Sequence, residues 1–498
     1  MFWADKILQE RKGDEWVNDA WTPSGIIHMG SLKGPVIHDV VNKVILEQGR
    51  NSKFTFGFDD MDAIDGLPKD LQEKLGEYMG IPICNAPSPD GNGTFGEYYA
   101  NIMRDVFSTL KIDAEIYLAS DYYKKGIYDD AIAYVLNNAD GIRKVYSEMY
   151  HKDISSDWFP LQVVCPDCGK VGTTKVTKWD GEKVSYECSE TLVEWAQGCG
   201  KSESISPFGG NATMPFKVEW AAKWWTFGVT IEGAGKDHAS AGGTYDVARK
   251  IIKDVFKKDP PLKLPYEFFL YDGKKMSASK GLGLIAQELL EVMPPELVRF
   301  LMIKTPPNQA VEFNPFGTQI IPRLYDDYYM CAKKYIDKIN DDDTRAFELS
   351  QIDRDNPLLP PEARFTTLAQ WSQMPSMLNK ISDSELGKWV NYARVWIEKY
   401  APESEKFLVQ ESSPDVSNLT PDQKKYLEEV ADRLELGQDA EKIQEVIYNT
   451  SKELGVASKD AFKAIYTSLL GKDHGPRAAD LIASLEIEFV KKRFRDSS

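Results

Sequence analysis

The sequence predicts an α/β fold, a doubly wound parallel sheet broken by an insertion and followed by an all-helical C-terminal domain. Three observations carry that reading. Strand and helix periodicities alternate as far as Tyr150, a CxxC with two further cysteines then interrupts them, and helix caps and glycine stops dominate the last part of the chain.

The first elements surround Trp21-Thr-Pro-Ser-Gly-Ile-Ile-His-Met-Gly-Ser-Leu32. A short apolar run leads into the small-residue turn Thr22, Pro23, Ser24, Gly25, and His28-Met29-Gly30 then opens a helix. Val36, Ile37, Val40, Val41, Val44 and Ile45 recur at helical spacing, and Gly49 stands where a C-terminal glycine belongs. Strand, tight turn and helix is a phosphate-binding order, because a helix N-terminus offers unpaired N–H groups and glycines let a ligand approach the backbone. His28 lies in that turn; a surface or capping histidine is the competing reading.

Lys53 to Asp60 alternates aromatic with small or polar residues and ends in acids, as a strand running into a polar loop does. Ligands of open α/β sheets bind beyond the carboxyl ends of strands, which makes Asp59, Asp60 and Asp62 candidates to meet an ammonium group, against a solvated acidic turn. Ala114 to Ser120 reads as the next strand, and Ile132, Val135 and Leu136 mark a helix over 127–150.

Cys165-Pro-Asp-Cys168, Cys188 and Cys199 follow. A CxxC turn aims two thiolates at one ion, and four thiolates make a closed tetrahedral zinc site; free or redox thiols are the alternative. Such a module staples an insertion too small for a core of its own. Cys84 and Cys331 read as buried thiols. Val218 to Ser240 then carries Trp220, Trp224 and Trp225 and ends in Gly235-Lys-Asp-His238. Clustered tryptophans are usually core, yet an aromatic face near Asp237 and His238 also suits a long cationic side chain.

Tyr271 to Gly281 holds Lys274, Lys275, Met276, Ser277, Ser279 and Lys280, donors suited to a polyphosphate whose charge rises in a transition state. Further on, Thr420-Pro-Asp-Gln423 is a capped helix start, and Gly437 and Gly455 punctuate later helices. The segment 345–416 reads as helices joined by loops, and Lys491-Lys-Arg-Phe-Arg495 as a frayed basic terminus or a phosphate contact.

Length and composition set bounds. A chain of 498 residues needs about three domains. Sixty basic against 77 acidic residues give a net charge of −17, so nucleic acid could be met only by a local basic patch, with strong salt dependence. No run is long and apolar enough to span a membrane and no secretory leader is visible, which predicts a cytoplasmic protein without membrane partners; the sequence leaves the oligomeric state open, with a monomer favoured.

The His28 turn and the lysine loop together resemble the HIGH and KMSKS signatures of class I aminoacyl-tRNA synthetases. Gly235-Lys-Asp-His-Ala-Ser240 with Gly242-Gly-Thr-Tyr-Asp246, Trp158-Phe-Pro-Leu-Gln162, Asn308 with Glu312-Phe313, and Leu470 to Arg477 resemble the class I lysyl branch over residues 15–495. The resemblance implies a Rossmann-type catalytic domain in two halves, 1–85 and 216–290. An insertion over 86–215, with its zinc module at about 160–205, lies between them. A stem-contact region over 291–345 and a helical anticodon-binding domain over 346–498 complete the chain.

It also implies ATP with Mg²⁺, lysine and tRNA(Lys) as reactants, one structural Zn²⁺ on Cys165, Cys168, Cys188 and Cys199, and a lysyl-adenylate intermediate. His28, Lys275 and Lys280 are the expected catalytic groups. Thr22, Pro23, Ser24, Gly25, Gly30, Ser31, Met276, Ser277 and Ser279 join them around ATP, and Asp59, Asp60, Trp220, Asp237 and His238 around lysine. The chain departs from the family pattern at Ser31, where His or Asn is usual, and at Ala278, where Lys280 two residues on supplies the charge. A synthetase for another amino acid such as glutamate, a catalytically impaired paralogue that binds RNA, and a nucleotidyltransferase of the same broad fold, which would need neither the zinc insertion nor the C-terminal helices, are the alternatives.

Overall fold

The computed structural model describes residues 1–276, 284–374, 386–410 and 415–498. In chain order the principal elements before the insertion are β1 (Glu15–Trp21), α1 (Lys33–Glu47), β2 (Ser52–Phe58), α2 (Phe95–Leu110), β3 (Glu115–Leu118), α3 (Asp129–Asn137) and α4 (Ala139–Tyr150). After the insertion come α5 (Phe216–Phe227), β4 (Ile231–Gly235), α6 (Thr244–Asp254), β5 (Leu262–Tyr266), α7 (Pro295–Ile303) and α8 (Asp342–Ser350). The five strands form one parallel sheet in the order β5-β4-β1-β2-β3. Strand order therefore reverses between β1 and β4, and that switch point opens a crevice at their carboxyl ends.

Packing explains why these segments take these places. Val36, Ile37, Val40, Val41, Val44 and Ile45 of α1 are all buried, each worth about 1.5–3 kcal/mol over exposure. Gly49, at φ 71°, ends that helix as expected. β2 is buried from Phe54 onward, and Gly57 is bare because a Cβ there would lie 2.5 Å from the Tyr117 hydroxyl. Arg299 of α7 and Asp39 of α1 are fully buried and pair at 2.7 Å, while Arg299 also donates to the carbonyls of Leu110 and Leu349 at 3.2 Å. Removing either charge would leave its partner stranded, which makes this a rigid tie between α1, α2, α7 and α8.

The continuous helix expected over 127–150 is two helices. At Asn138 the backbone leaves the helical region (φ −114°, ψ 26°), and its side-chain amide donates to Tyr134 O at 2.8 Å, a local bond that competes with helix continuation. The insertion folds around a small antiparallel sheet, Thr174–Trp179, Val184–Cys188 and Ser202–Ile205.

The chain divides into two compact units. One holds residues 1–290, 294–313 and 333–358, the other 291–293, 314–332 and 359–498. The second unit is helical, with α9 (Pro421–Arg433), α10 (Ala440–Leu454), α11 (Ser458–Leu470), α12 (Ala478–Ala483) and α13 (Ile487–Asp496). Thr420 and Gln423 close a reciprocal capping box at the start of α9, and Tyr426, Val430, Ile447, Ile465 and Phe494 share its core. The basic terminus is not frayed. Phe494 is buried, and Arg493 donates to Ser468 O at 3.2 Å and Gln410 O at 2.7 Å, because the run is amphipathic and its inward face packs. Among the described residues no helix is long and apolar enough to cross a membrane.

Candidate active site

The crevice at the switch point is a cavity of about 370 Å³, bounded by the carboxyl ends of β1 and β4, the Thr22–His28 turn, the start of α5 and the hairpin that follows β5. His28 precedes a short 3-10 turn, Met29–Leu32, that runs into α1. The turn is anchored from the far side of the lysine loop: Met29 N donates to Leu284 O and Ala286 N to Ile27 O, both at 2.9 Å. His28 Nδ1 is buried without a hydrogen-bond partner among the described residues. Burial, and secondarily the Lys275 charge, push its pKa down to about 4. The imidazole is therefore neutral at pH 7 and offers a ligand a hydrogen bond rather than a charge. Gly30 is obligatory here, since a Cβ would stand 2.9 Å from the His28 ring.

Thr22, Ser24, Gly30 and Ser31 line the cavity, whereas Pro23 and Gly25 shape the turn without reaching it. Thr22 Oγ1 donates to Asp62 at 2.9 Å, which fixes the turn to the loop after β2. Lys275 lies on a hairpin, Phe269–Tyr271 with Lys274–Lys275. Its turn, Asp272-Gly273, has both φ angles positive, 48° and 71°, as the twist of a two-residue hairpin requires. Glu312 accepts from Gly273 N at 3.1 Å and holds the tip. Met276 lines the cavity. Ser277, Ser279 and Lys280 lie outside the described residues.

The residues expected around a cationic side chain are only partly brought together. Asp59 borders the cavity, but its carboxylate accepts from Lys223 Nζ at 2.7 Å, and both groups are buried. An internal lysine thus already fills the ammonium position. Asp60 points elsewhere: it accepts from Ser120 N at 2.7 Å and Ser120 Oγ at 2.6 Å, and burial raises its carboxyl to about 6. Asp237 is the ion partner of Lys275, whose ammonium also lies 4.4 Å over the Phe268 ring. Trp220 and His238 do line the cavity. Trp220 projects from α5, and the His238 ring meets it edge-on at 6.0 Å. Burial lowers the His238 pKa below its usual value.

Sequence reasoning missed the centre of this wall. Glu232 of β4 lines the cavity at 1% exposure. It accepts from Trp220 Nε1 at 2.8 Å, Trp224 Nε1 at 3.0 Å and Asn18 Nδ2 at 2.9 Å. All three donors are neutral, and burial pushes the carboxyl up to about 7. Asp19 of β1 lines the same wall and lies 3.3 Å from the buried His38 Nδ1. An acid inside the apolar run Val229 to Ala234 was the available signal for Glu232, and an acid before the Thr22 turn the signal for Asp19.

The four insertion cysteines converge. Their sulfurs all lie within 4.8 Å of one another, with Cys165 to Cys199 and Cys168 to Cys188 at 3.6 Å. Tetrahedral thiolates at about 2.3 Å from zinc stand about 3.8 Å apart, so the donor set and its spacing fit that ion.

The parallel sheet, its switch-point crevice and the helical second unit form the architecture of a class I tRNA synthetase. The family model for tRNA synthetases class I (K) matches residues 1–353, and that for an anticodon binding domain matches residues 398–497. Proteins named lysine–tRNA ligase from Archaeoglobus fulgidus and Methanocaldococcus jannaschii are each 31% identical, and one from Thermoplasma volcanium is 30% identical. In all three cases the match covers 99% of this chain and 99% of the relative. The chain belongs to the class I lysine–tRNA synthetase family.

Proposed function

We propose that the chain attaches lysine to tRNA(Lys) in two steps, forming a lysyl-adenylate from lysine and Mg²⁺-bound ATP and passing the acyl group to the tRNA terminus. The observation that carries the choice of amino acid is Glu232, a cavity carboxylate held by neutral donors and, among the described residues, without a basic side chain paired to it, beside the Trp220 indole. Moving an ammonium out of water costs several kcal/mol unless such groups replace its hydration. Glutamate fits poorly, because its side chain would meet Glu232 and Asp19 as like charge, while Asp59 is already neutralised by Lys223. His28 donates to the phosphates, Gly30 lets the nucleotide approach, and Lys275 with Lys280 neutralises pyrophosphate as it leaves. The second unit's helices over 421–496 read the anticodon, with a stem contact over 291–345. Charging of tRNA(Lys) with labelled lysine tests this reading, and absence of charging with any tRNA would sink it.

Within that reading Trp220 stacks on the aliphatic stem and ammonium of the substrate. Its replacement by alanine is expected to raise the lysine KM roughly 5- to 30-fold while the ATP KM stays nearly fixed. Altered stability with an unchanged lysine KM would assign Trp220 to the core alone.

The cysteine cluster is proposed to bind one structural zinc per chain. Metal analysis should find about one equivalent, and Cys168→Ser should lose it and unfold the insertion before the parallel sheet, read by hydrogen exchange. Protein purified without chelator that contains no zinc contradicts this.

A further inference from the structure

Thr55 of β2, Asn18 of β1, Glu232 of β4 and Lys263 of β5 stand opposite one another on four adjacent strands. Register partners share one face of a sheet, so these side chains form a row across it. A hydrogen-bond chain runs along the row in one direction. Trp16 Nε1 donates to Thr55 Oγ1 at 2.9 Å, Thr55 Oγ1 to Asn18 Oδ1 at 2.8 Å, and Asn18 Nδ2 to Glu232 Oε2 at 2.9 Å. An indole N–H can only donate, so the Thr55 oxygen accepts and its single hydrogen passes on to Asn18. That settles which end of the amide faces Glu232. Asn18 and Thr55 are both buried, so solvent does not compete for these bonds.

Glu232 consequently meets three donors, the Trp220 and Trp224 indoles and an Asn18 amide that cannot turn round. A proton on this carboxyl would point at another hydrogen. Lys263 is the cation next in the row, yet its ammonium is drawn aside to Ala239 O at 2.6 Å and to Asp246 at 3.2 Å. Asp246 is itself held by Gly242 N at 2.9 Å, which gives the Gly242–Asp246 stretch a physical task. Both arrangements leave Glu232 an open acceptor for a cation entering from the cavity.

We infer that Asn18 is a positioning residue for the choice of amino acid: fixed by Thr55 and Trp16, it holds Glu232 as an ionised acceptor for the side-chain ammonium of the substrate. The inference rests on the proposed role of Glu232 and adds to it a residue behind the cavity wall that sets how well that carboxylate binds.

The test is lysine-dependent pyrophosphate exchange, with tRNA present, for the full-length parent, Asn18→Leu, Thr55→Val and Thr55→Ser, followed from about pH 6 to 9. Asn18→Leu should raise the lysine KM roughly tenfold or more, with the ATP KM within about twofold, because a hydrogen bond to a charged group is lost. In the same variant the acid limb of lysine kcat/KM should move to higher pH by about one unit, since a carboxylate that loses a donor keeps its proton longer. Thr55→Val frees the amide to turn and should shift both in the same direction, and Thr55→Ser should restore both. Asp19 of β1, His38 of α1, Tyr117 of β3, Lys223 of α5, Tyr245 of α6 and Tyr266 of β5 also act on Glu232, and none is altered, so a moved limb reports the lost donor. An unmoved limb in Asn18→Leu overturns the inference, as does an equal rise in the KM for lysine and for ATP, which would make Asn18 a structural support. If Asn18→Leu does not fold, the Thr55→Val and Thr55→Ser pair decides on the same readouts. A parent without lysine-dependent exchange would instead overturn the two-step reading, and a limb that survives in Glu232→Gln would overturn the role of Glu232, each a separately visible result.

Discussion

His28→Ala is expected to slow lysyl-adenylate formation by ~100-fold or more while weakening ATP binding far less. Where charge develops decides the size of the effect. In the ground state the phosphates are well served by solvent, whereas at five-coordinate phosphorus extra charge builds inside the crevice, where a fixed donor costs no reorganisation. The His28 imidazole meets that requirement by being half-buried, without a partner at Nδ1 among the described residues, and neutral at working pH. With a pKa of about 4 it does not titrate between pH 5 and 8, so the variant should lose rate without changing the shape of the pH profile in that range. Rapid-quench measurement of the single-turnover rate decides it. A near-parent rate would move the electrophilic role to the lysine loop alone.

Glu232→Gln should raise the lysine KM by ~100-fold or more, because truncating one partner of a buried charge pair costs about 3–5 kcal/mol. The glutamine amide would also face the indole and amide donors that now converge on both carboxylate oxygens. The pH dependence carries a sign. Since burial sets the Glu232 carboxyl at about 7, it is increasingly protonated below that pH and cannot bind an ammonium. Lysine kcat/KM should therefore be greatest above pH 7 and fall as pH drops below it, and that limb should vanish in Glu232→Gln. His28, at about 4, cannot produce it. A limb that survives in the variant would assign it to another group and remove Glu232 from the substrate.

Much of this site was legible in the sequence because its signals are local. The His28 turn, the capping box at Thr420, the glycine stop at Gly49 and the cysteine spacing each depend on a few consecutive residues whose backbone demands are known. What the sequence hid depends on contacts between distant residues. Asp59 reads as available in the sequence, and only the fold brings Lys223, far along the chain, onto it. Asp60 turned to Ser120, and Asp237 to Lys275. Glu232 stayed unnoticed because an acid in an apolar strand gains meaning only when Trp220, Trp224 and Asn18 close on it. Asn138 broke a helix whose apolar spacing ran straight through it.

The most direct test of the whole account is amino-acid-dependent exchange of labelled pyrophosphate into ATP, run across the common amino acids with and without tRNA. Exchange is expected with lysine, with at most background for glutamate, arginine and the rest, followed by lysine transfer to tRNA(Lys). Exchange driven by a different amino acid, or by none in either condition, would contradict it.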